Sequence, residues 1–362
     1  MKVLDASRVL AGPYAAMMLG DLGHDVVKVE RPGEGDQTRA WGPPWQDGQS
    51  AYYLSVNRNK RSLTLNLKSE EGRELFRRLA ARSDVLIENF RAGEMDAMGL
   101  GYEALATLNP RLVFCSITGY GQTGPWKDRP AYDLALQAEA GWMSITGEAG
   151  AAPVRVGVAV IDLLAAHTAV QRILSALLDR SETGRGKRID VSMLECATDS
   201  LTYMAQNVRA TGVSPGRMGS RHPSIAPYQA FPTCDGYIVV AGGSQAIWER
   251  LCRAIGRPAL LEDPRFADNA KRIEHRVALE GALNAAFASR SAAKWAQILQ
   301  AADVPASPVN DLATALALPP LQARPASSHR PPPRLGEHSD EILRELDYDA
   351  TLIARFRADG VV

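Results

Sequence analysis

The stretch that decides the fold is KVLDASRVLAGPYAAMMLGDLGHDVVKVE, residues 2–30. It contains a short apolar run at 2–7, a helix-forming stretch at 12–23 and a β-branched run at 25–30. Short apolar runs separated by a helical stretch are typical of two parallel strands joined by a helix. The N-terminal residues therefore predict the beginning of a parallel sheet.

The same alternation of strand and helix patterns continues through the first half of the chain. Ser69 is a favourable N-cap for a helix in which Leu75 and Leu79 stand four residues apart on one face. The pattern predicts an α/β fold with a Rossmann-like, doubly wound parallel sheet. Further strands are predicted at 62–67, 84–90, 111–120 and 188–194, and further helices at 70–82, 99–108 and 162–179.

A second, smaller α+β domain is predicted after the sheet. The residues CDG at 234–236 predict a hairpin turn, and a series of helical patterns follows it. Segments rich in glycine, serine and proline mark the linkers on either side. The predicted boundaries are a large domain at 1–205 that is completed by 334–362, a linker at 206–217, the small domain at 218–310 and a returning linker at 311–333.

The composition is that of an ordinary globular protein. Of 362 residues 46% are apolar, and 41 basic residues balance 41 acidic ones, which excludes a largely disordered chain and argues against a nucleic-acid partner. The four cysteines are far apart and the six histidines show no ligand spacing. No uncharged stretch approaches the ~20 residues that a membrane span needs. We therefore expect a cytoplasmic protein with no metal site and no membrane partner.

A local excess of positive charge stands out against this balance. Between Arg58 and Arg82 there are eight basic and three acidic residues, although neither a P-loop nor a G-x-G-x-x-G after the first strand is present. Some of these charges belong to a solvated helix face, but Lys60 and Arg61 precede a predicted strand and Lys68 follows it. Because strand ends in parallel sheets face the ligand crevice, the cluster predicts a site for a nucleotide phosphate.

A single carboxylate, Asp162, stands at the start of an apolar helical pattern, directly after the run VGVAVI. The positive end of a helix stabilises a negative charge there, and backbone N–H groups can bind the carboxylate. Two functions remain open from these residues: a helix N-cap, which is the commoner role, and a catalytic carboxylate. HExxH, GxSxG and EF-hand patterns are missing from the sequence.

Segments spread over nearly the whole chain resemble CoA-transferase family III. One of them, HPSIAPYQAF at 222–231, is most similar to the branch that uses succinyl-CoA and dicarboxylates. The resemblance implies an interlocked homodimer that takes acyl-CoA and small carboxylic acids as substrates and holds no tightly bound cofactor. The segments that carry it lie at 4–32, 57–72, 84–93, 117–125, 129–167, 183–194, 222–241 and 335–343.

The same resemblance implies roles for individual residues. Asp162 matches the nucleophilic aspartate of the family, which forms a mixed anhydride with the acyl group and then a thioester with CoA before the acceptor acid takes CoA over. Tyr132 matches a tyrosine near the thioester. The implied CoA contacts are Leu10, Ala11, Arg31, Leu65, Lys68, Asn89, Phe90, Met98 and Tyr132.

Two other functions fit part of this pattern. The related 2-methylacyl-CoA racemases and epimerases use a histidine base at the position of Tyr132, and a phenol, with an ordinary pKa of about 10, replaces that base poorly. A CoA-binding protein with impaired turnover is the third possibility. It is suggested by a returning connection that is short between Ala323 and Arg334 and by a glycine-rich loop reduced to AGGSQ at 241–245. CoA transfer is the favoured prediction.

Overall fold

The chain folds into two compact units, a large one and a small one. The segment Met143–Val154 belongs to the small unit, although it falls inside the predicted large domain. The computed structural model describes residues 1–323 and 329–362. The large unit comprises Met1–Trp142, Arg155–Ser214 and 329–362, and the small unit comprises Met143–Val154 and 215–323.

The predicted strands of the parallel sheet lie within a few residues of their predicted positions, whereas the short strands Trp45–Gln46, Gln49–Ser50 and Ala306–Pro308 were not predicted. The pattern at 62–67, for example, corresponds to a strand at Lys60–Thr64. In chain order the strands are β1 (Lys2–Asp5), β2 (Asp25–Glu30), β3 (Trp45–Gln46), β4 (Gln49–Ser50), β5 (Lys60–Thr64), β6 (Val85–Glu88), β7 (Val113–Thr118), β8 (Arg188–Ser192), β9 (Tyr228–Pro232), β10 (Tyr237–Ala241) and β11 (Ala306–Pro308).

Several helices begin at a residue whose side chain accepts a free N–H group of the first turn. Ser69 accepts the backbone N–H of Gly72 at 3.1 Å and is the N-cap of its helix, as predicted. The helices are α1 (Ala11–Asp21), α2 (Ala51–Ser55), α3 (Glu70–Ala81), α4 (Glu94–Ala97), α5 (Tyr102–Leu108), α6 (Asp133–Glu139), α7 (Trp142–Ile145), α8 (Val160–Thr183), α9 (Met193–Asp199), α10 (Thr202–Thr211), α11 (Gln245–Ala254), α12 (Asn269–Glu274), α13 (Arg276–Phe287), α14 (Ala292–Ala301), α15 (Leu312–Leu316), α16 (Pro319–Gln322), α17 (Ser339–Glu345) and α18 (Ala350–Ala358).

The large unit is built on a six-stranded sheet in the order β5-β2-β1-β6-β7-β8, and all its neighbouring strands are parallel. The chain moves outward from β1 to β2 and β5 and then returns to the other side of β1 for β6. The direction of winding therefore changes between β1 and β6. This confirms the predicted α/β class with a parallel sheet, and it creates a crevice at the carboxyl ends of the two strands.

Two hydrophobic clusters cover the two faces of this sheet, because successive side chains of a strand point to opposite sides. Val3 belongs to one cluster, in which α1 and α8 pack on the strands, and its neighbour Leu4 belongs to the other, which includes α3 and α5. The C-terminal helices α17 and α18 add Ile342 and Phe356 to the second cluster. The last residues of the chain thus complete the core of the large unit.

The small unit combines a three-stranded antiparallel sheet in the order β11-β10-β9 with helices. The hairpin between β9 and β10 closes through the N–H of Thr233, which donates to the carbonyl of Gly236 at 2.9 Å. Trp248 of α11 and Phe287 of α13 are buried in its core together with Phe231 of β9. The hairpin and the helical character of this region agree with the sequence pattern.

Both predicted linkers contain helices. α10 extends to Thr211, so the first half of the segment 206–217 is helical, and it ends only at Gly212, which takes a left-handed conformation with φ 69°. α15 and α16 occupy part of the segment 311–333. Residues 324–328 of the returning linker lie outside the described residues.

Helix α8 is long and apolar enough to cross a membrane by length and composition alone. Its residues Ile161, Ala165, Ala169 and Ile173 are instead buried in the cluster that covers one face of the sheet. Core helices of water-soluble proteins have the same composition. Packing in the large unit therefore accounts for part of the apolarity of α8.

Candidate active site

A cavity of about 430 Å³ opens at the switch point of the large unit, the place between β1 and β6 where the direction of winding changes. Its walls include Arg8 and Ala11 from the turn after β1, Asn89 from the loop after β6, and both Tyr132 and Asp162. These residues follow the carboxyl ends of neighbouring strands or precede helices that pack there. Ligands of open α/β sheets bind at this position.

Asp162 lies in the first turn of α8, and its carboxylate accepts a hydrogen bond from the backbone N–H of Ala11. The N-cap position is Ala159, so the N-cap role considered for Asp162 is wrong. Burial raises the pKa of Asp162 to about 7, the negative charge of Asp133 contributes to the rise, and the bond from Ala11 opposes it. A carboxyl group whose pKa is displaced in this way inside a cavity is characteristic of functional sites.

The start of α8 is held by a second carboxylate that the sequence analysis missed. Asp133 accepts the backbone N–H of Ile161 at 2.7 Å through one oxygen and the amide of Gln137 at 2.6 Å through the other. Gln137 in turn accepts the backbone N–H of Val156 at 2.9 Å. Both side chains are buried, so this chain of bonds fixes the turn that carries Asp162. The sequence did contain a signal for this contact, because an aspartate and a glutamine four residues apart on a helix can form a hydrogen bond.

Replacing Asp133 by asparagine is expected to move the acid limb of the pH–rate profile to lower pH by about 0.5–1 unit. The substitution removes a negative charge that raises the pKa of Asp162. The asparagine oxygen can still accept the N–H of Ile161, so α8 keeps its start. The measurement is kcat/KM for CoA transfer as a function of pH. The matched control is Asp179→Asn, which removes an exposed carboxylate near the far end of the same helix. An acid limb that stays in place or moves upward contradicts the prediction.

A strained turn brings the N–H of Ala11 to Asp162. Val9 has φ 71°, a left-handed conformation that β-branched residues rarely adopt. Its N–H donates to Asp36 at 3.2 Å, while the N–H and carbonyl of Arg8 both bond the side-chain amide of Asn89 at 2.7 Å. Several contacts thus hold the backbone in a conformation that it would not adopt alone, as is frequent at functional sites.

A second cavity, of about 350 Å³, shares Arg8, Gln37, Phe90 and Glu94 with the first. The shared wall makes the two cavities neighbours in one groove of the large unit. The residues implied as CoA contacts divide between the two cavities. The first cavity is lined by Ala11, Asn89, Phe90 and Tyr132, and the second by Arg31, Leu65, Lys68, Phe90 and Met98. Leu10 is buried and lines neither cavity.

Most of the predicted basic cluster is not a phosphate site, and this part of the prediction was wrong. Lys60 and Arg61 lie at the amino end of β5, whereas ligands bind at the carboxyl ends of parallel strands. Lys60 is fully buried and bonds Asp5 at 2.9 Å, and Arg61 bonds Asp25 at 2.7 Å. Lys68 lies beyond the carboxyl end of the strand and lines the second cavity. Counting charges along the sequence ignores the direction of the strand that carries them.

The groove has the partly buried carboxylate of Asp162 in one cavity and basic residues in both cavities. In the described part of the chain, no group of three or more His, Cys, Asp or Glu side chains could hold a metal ion. Such a groove at a switch point is typical of α/β enzymes. Residues 1–339 match the sequence model described as CoA-transferase family III, and the chain belongs to that family.

Several relatives of this chain are CoA-transferases. The chain is 40% identical to the human succinyl-CoA:glutarate CoA-transferase over 389 residues, which covers all of this chain and 89% of the human protein. It is 43% identical to the acetyl-CoA:oxalate CoA-transferase of Acetobacter aceti over 323 residues, 89% of this chain and 83% of that one. A solved CAIB/BAIF family protein from Brucella suis superposes with a TM-score of 0.85 at 40% identity, covering 96% of this chain and 98% of that one. These relatives confirm that the protein is a CoA-transferase.

Proposed function

We propose that this protein transfers CoA from succinyl-CoA to a small dicarboxylic acid, with glutarate as the first acceptor to test. The observation that carries the proposal is the Asp162 carboxylate in a cavity that adjoins a second cavity, in which the Lys68 ammonium has no acidic partner among the described residues. The identity to a succinyl-CoA:glutarate transferase supports the choice of substrates. A carboxylate acceptor needs no general base, because the attacking group is already an anion, and this agrees with a site built around an aspartate.

The proposed chemistry exchanges an acyl group and CoA on Asp162. An oxygen of Asp162 attacks the thioester carbon of succinyl-CoA, the C–S bond breaks, and a succinyl-aspartyl anhydride and the CoA thiolate result. The thiolate attacks the aspartyl carbonyl, releasing succinate and leaving CoA on Asp162 as a thioester. A carboxylate of glutarate attacks this thioester, and the thiolate is released a second time. It then attacks the glutaryl carbonyl of the new anhydride, which yields glutaryl-CoA and restores Asp162.

The geometry around Asp162 suits this sequence of steps. The attacking group must be ionised, and burial raises its pKa to about 7, so the carboxylate is easily converted into a neutral acyl derivative in a site that disfavours its charge. The N–H of Ala11 points at the same oxygens, where negative charge redevelops each time the acyl group leaves. Burial thus lowers the free-energy difference between the aspartate and its acylated forms, whereas the N–H of Ala11 stabilises the negative charge that develops as each acyl group leaves.

We place the nucleotide end of CoA in the second cavity. Lys68 lines it, and its ammonium makes no hydrogen bond or ion pair with the residues that the structure describes. Arg31 lines the same cavity and pairs with Glu34 at the surface, 2.8 Å apart. A free ammonium beside an exposed guanidinium is suited to phosphate groups.

Replacing Lys68 by alanine is expected to weaken CoA binding about tenfold, because one charge-assisted contact to a phosphate is lost. Dephospho-CoA, which lacks the 3′-phosphate, shows which phosphate Lys68 contacts. If the substitution weakens dephospho-CoA less than CoA, Lys68 contacts the 3′-phosphate. If it weakens both ligands equally, Lys68 contacts the diphosphate. Titration calorimetry with both ligands measures the two dissociation constants. The matched control is Lys294→Ala, an exposed lysine of the small unit. Unchanged affinity for both ligands contradicts the placement of CoA in the second cavity.

We further propose that the protein is an interlocked homodimer located in the cytoplasm, as the family resemblance suggests. Leu178 on α8 is 72% exposed within one chain and Leu174, one turn earlier, is 37% exposed, which supports a partner surface on this helix. The four cysteines are all unpaired, which supports a reducing compartment.

Mass spectrometry of a mixture of protein, succinyl-CoA and glutarate tests the proposed function. We expect glutaryl-CoA and succinate in equal amounts, and a hydroxamate at Asp162 when hydroxylamine is added with the acyl-CoA alone. Deuterium uptake at the α-carbon of a 2-methylacyl-CoA, without an acceptor acid, would instead indicate a racemase. Tight CoA binding with neither product nor hydroxamate would indicate a binding protein.

A further inference from the structure

Four basic side chains line the Asp162 cavity, and they differ in what else they contact. Arg8 also lines the second cavity, and its guanidinium lies over the ring of Phe90, 4.5 Å from the centroid. Arg91 follows Phe90 in the loop after β6, which contributes to the wall shared by both cavities. Arg8 therefore lies beside the path that connects the cavities, whereas Arg91 lines the Asp162 cavity alone.

Lys127 and Arg129 line the Asp162 cavity and do not line the second one. The Arg129 guanidinium donates to Glu139 at 2.8 Å and lies over the ring of Trp126, 4.5 Å from its centroid. The Lys127 ammonium makes no hydrogen bond or ion pair within residues 1–323 and 329–362. One cation is thus held in position and the other is uncompensated, an arrangement that suits an anion from outside the chain.

The proposed reaction supplies such an anion. A dicarboxylate that attacks through one carboxylate keeps a second negative charge, which must enter a cavity that already contains Asp162. Asp162 repels this second charge, so a cation beside it favours binding of the dicarboxylate. On the basis of the proposed function, we infer that Lys127 and Arg129 bind the second, non-reacting carboxylate of the dicarboxylate, both in the free acid and in the acyl group of the donor.

The charge of this pair selects a carboxylate over a phosphate. Glu139 already neutralises part of the charge of Arg129, so the pair offers roughly one net positive charge to a ligand. A carboxylate carries one negative charge, whereas a phosphate monoester carries nearly two. The guanidinium can still present free N–H groups in the plane that carboxylates prefer. Only a diacid has a second carboxylate to place against this pair. The pair is therefore a specificity determinant for diacids over monoacids.

An internal competition experiment tests this subsite. Each protein receives a fixed amount of succinyl-CoA and equal concentrations of glutarate and pentanoate, and the ratio of glutaryl-CoA to pentanoyl-CoA is measured by mass spectrometry. The ratio reports the relative kcat/KM of the two acceptors, and effects on the donor half of the reaction cancel. Lys127→Gln is expected to lower the ratio about tenfold or more, because a charge-assisted contact to glutarate alone is lost. Lys127→Arg should restore most of the ratio, and Lys294→Gln should leave it unchanged.

The result separates this inference from the proposed function. If the wild-type protein makes CoA esters and Lys127→Gln leaves the ratio unchanged, or lowers both products equally, the subsite is wrong while CoA transfer stands. If the wild-type protein makes no CoA ester, the proposed function fails. The subsite is then decided by calorimetric binding of glutarate and pentanoate to the CoA-saturated protein. A preference for glutarate that is lost in Lys127→Gln supports the subsite, and equal binding overturns it.

Discussion

Replacing Asp162 by asparagine is expected to lower the rate of CoA transfer by at least about 10³-fold, the scale on which removal of a covalent nucleophile acts. The side-chain amide is a poor nucleophile toward a thioester, so neither the anhydride nor the aspartyl-CoA thioester forms. The measurement is the initial rate of glutaryl-CoA formation at saturating substrates. CoA binding should persist, because the second cavity contains none of the Asp162 atoms.

Two controls make the loss interpretable. Asp162→Ala should be equally inactive and cannot regenerate an aspartate by deamidation. Asp179→Asn removes an exposed carboxylate of the same helix, which pairs with Lys187, and should keep nearly full activity. Transfer by Asp162→Asn and Asp162→Ala at near-native rates would show that the protein transfers CoA by another route.

The raised pKa of Asp162 has a consequence for stability that can be measured without substrates. The pKa rises from 3.8 in the unfolded chain to about 7 in the folded protein, so the folded state binds this proton more tightly. Between these two pH values the group destabilises the fold increasingly as pH rises, by at most about 4 kcal/mol above pH 7. Asp162→Asn should therefore melt at a higher temperature than the wild type at pH 8 and at a similar temperature near pH 4. A lower melting temperature of the variant at pH 8 would contradict the raised pKa.

The fold could be predicted because its signals are local. The parallel sheet follows from short β-branched runs separated by amphipathic helices, and the cap at Ser69 follows from one residue type. The helix α10 was not predicted, because its second half lies in a segment that was assigned to a linker on its overall content of glycine and proline. The first residue that stops the helix is Gly212.

The candidate site could be predicted only in part, because its geometry depends on contacts between distant segments. Asp162 was found through its position before an apolar helix, but the neighbour that shifts its pKa, Asp133, lies on another helix. The left-handed conformation of Val9 could not be predicted from the residue type, since valine normally avoids this conformation. Lys60 was correctly placed before β5, but the prediction treated both ends of the strand as facing the ligand crevice, and only the carboxyl end does so.

Replacing the buried Lys60 by methionine is expected to destabilise the large unit by about 3–5 kcal/mol. The ammonium and its partner Asp5 are both fully buried, with 2.9 Å between Nζ and Oδ2. Lys60 also donates to the carbonyl of Pro13 and to Asn57, each at 2.8 Å. Removing Lys60 leaves Asp5 without its closest countercharge. It also leaves the carbonyl oxygen of Pro13 and the side-chain oxygen of Asn57 without the ammonium as donor. Urea denaturation monitored by circular dichroism measures the loss.

A double replacement distinguishes the lost charge pair from a simple packing defect. Asp5→Asn keeps an oxygen for the N–H of Ser7 but removes the negative charge, so the pair Asp5→Asn and Lys60→Met should recover more than half of the loss. The exposed control Lys187→Met should cost less than about 1 kcal/mol. If the double variant is no more stable than Lys60→Met, the charge pair is not the cause of the loss.

The same buried lysine links the stability of the sheet to the geometry of the active site. Through Pro13 it holds the first turn of α1, and the first residue of that helix, Ala11, donates its N–H to Asp162. Lys60→Met, assayed where it is still folded, should therefore lower kcat more than it raises the KM for succinyl-CoA, because the second cavity does not contain Lys60. A variant that loses stability but keeps a native kcat would show that the turn holds its shape without the buried lysine.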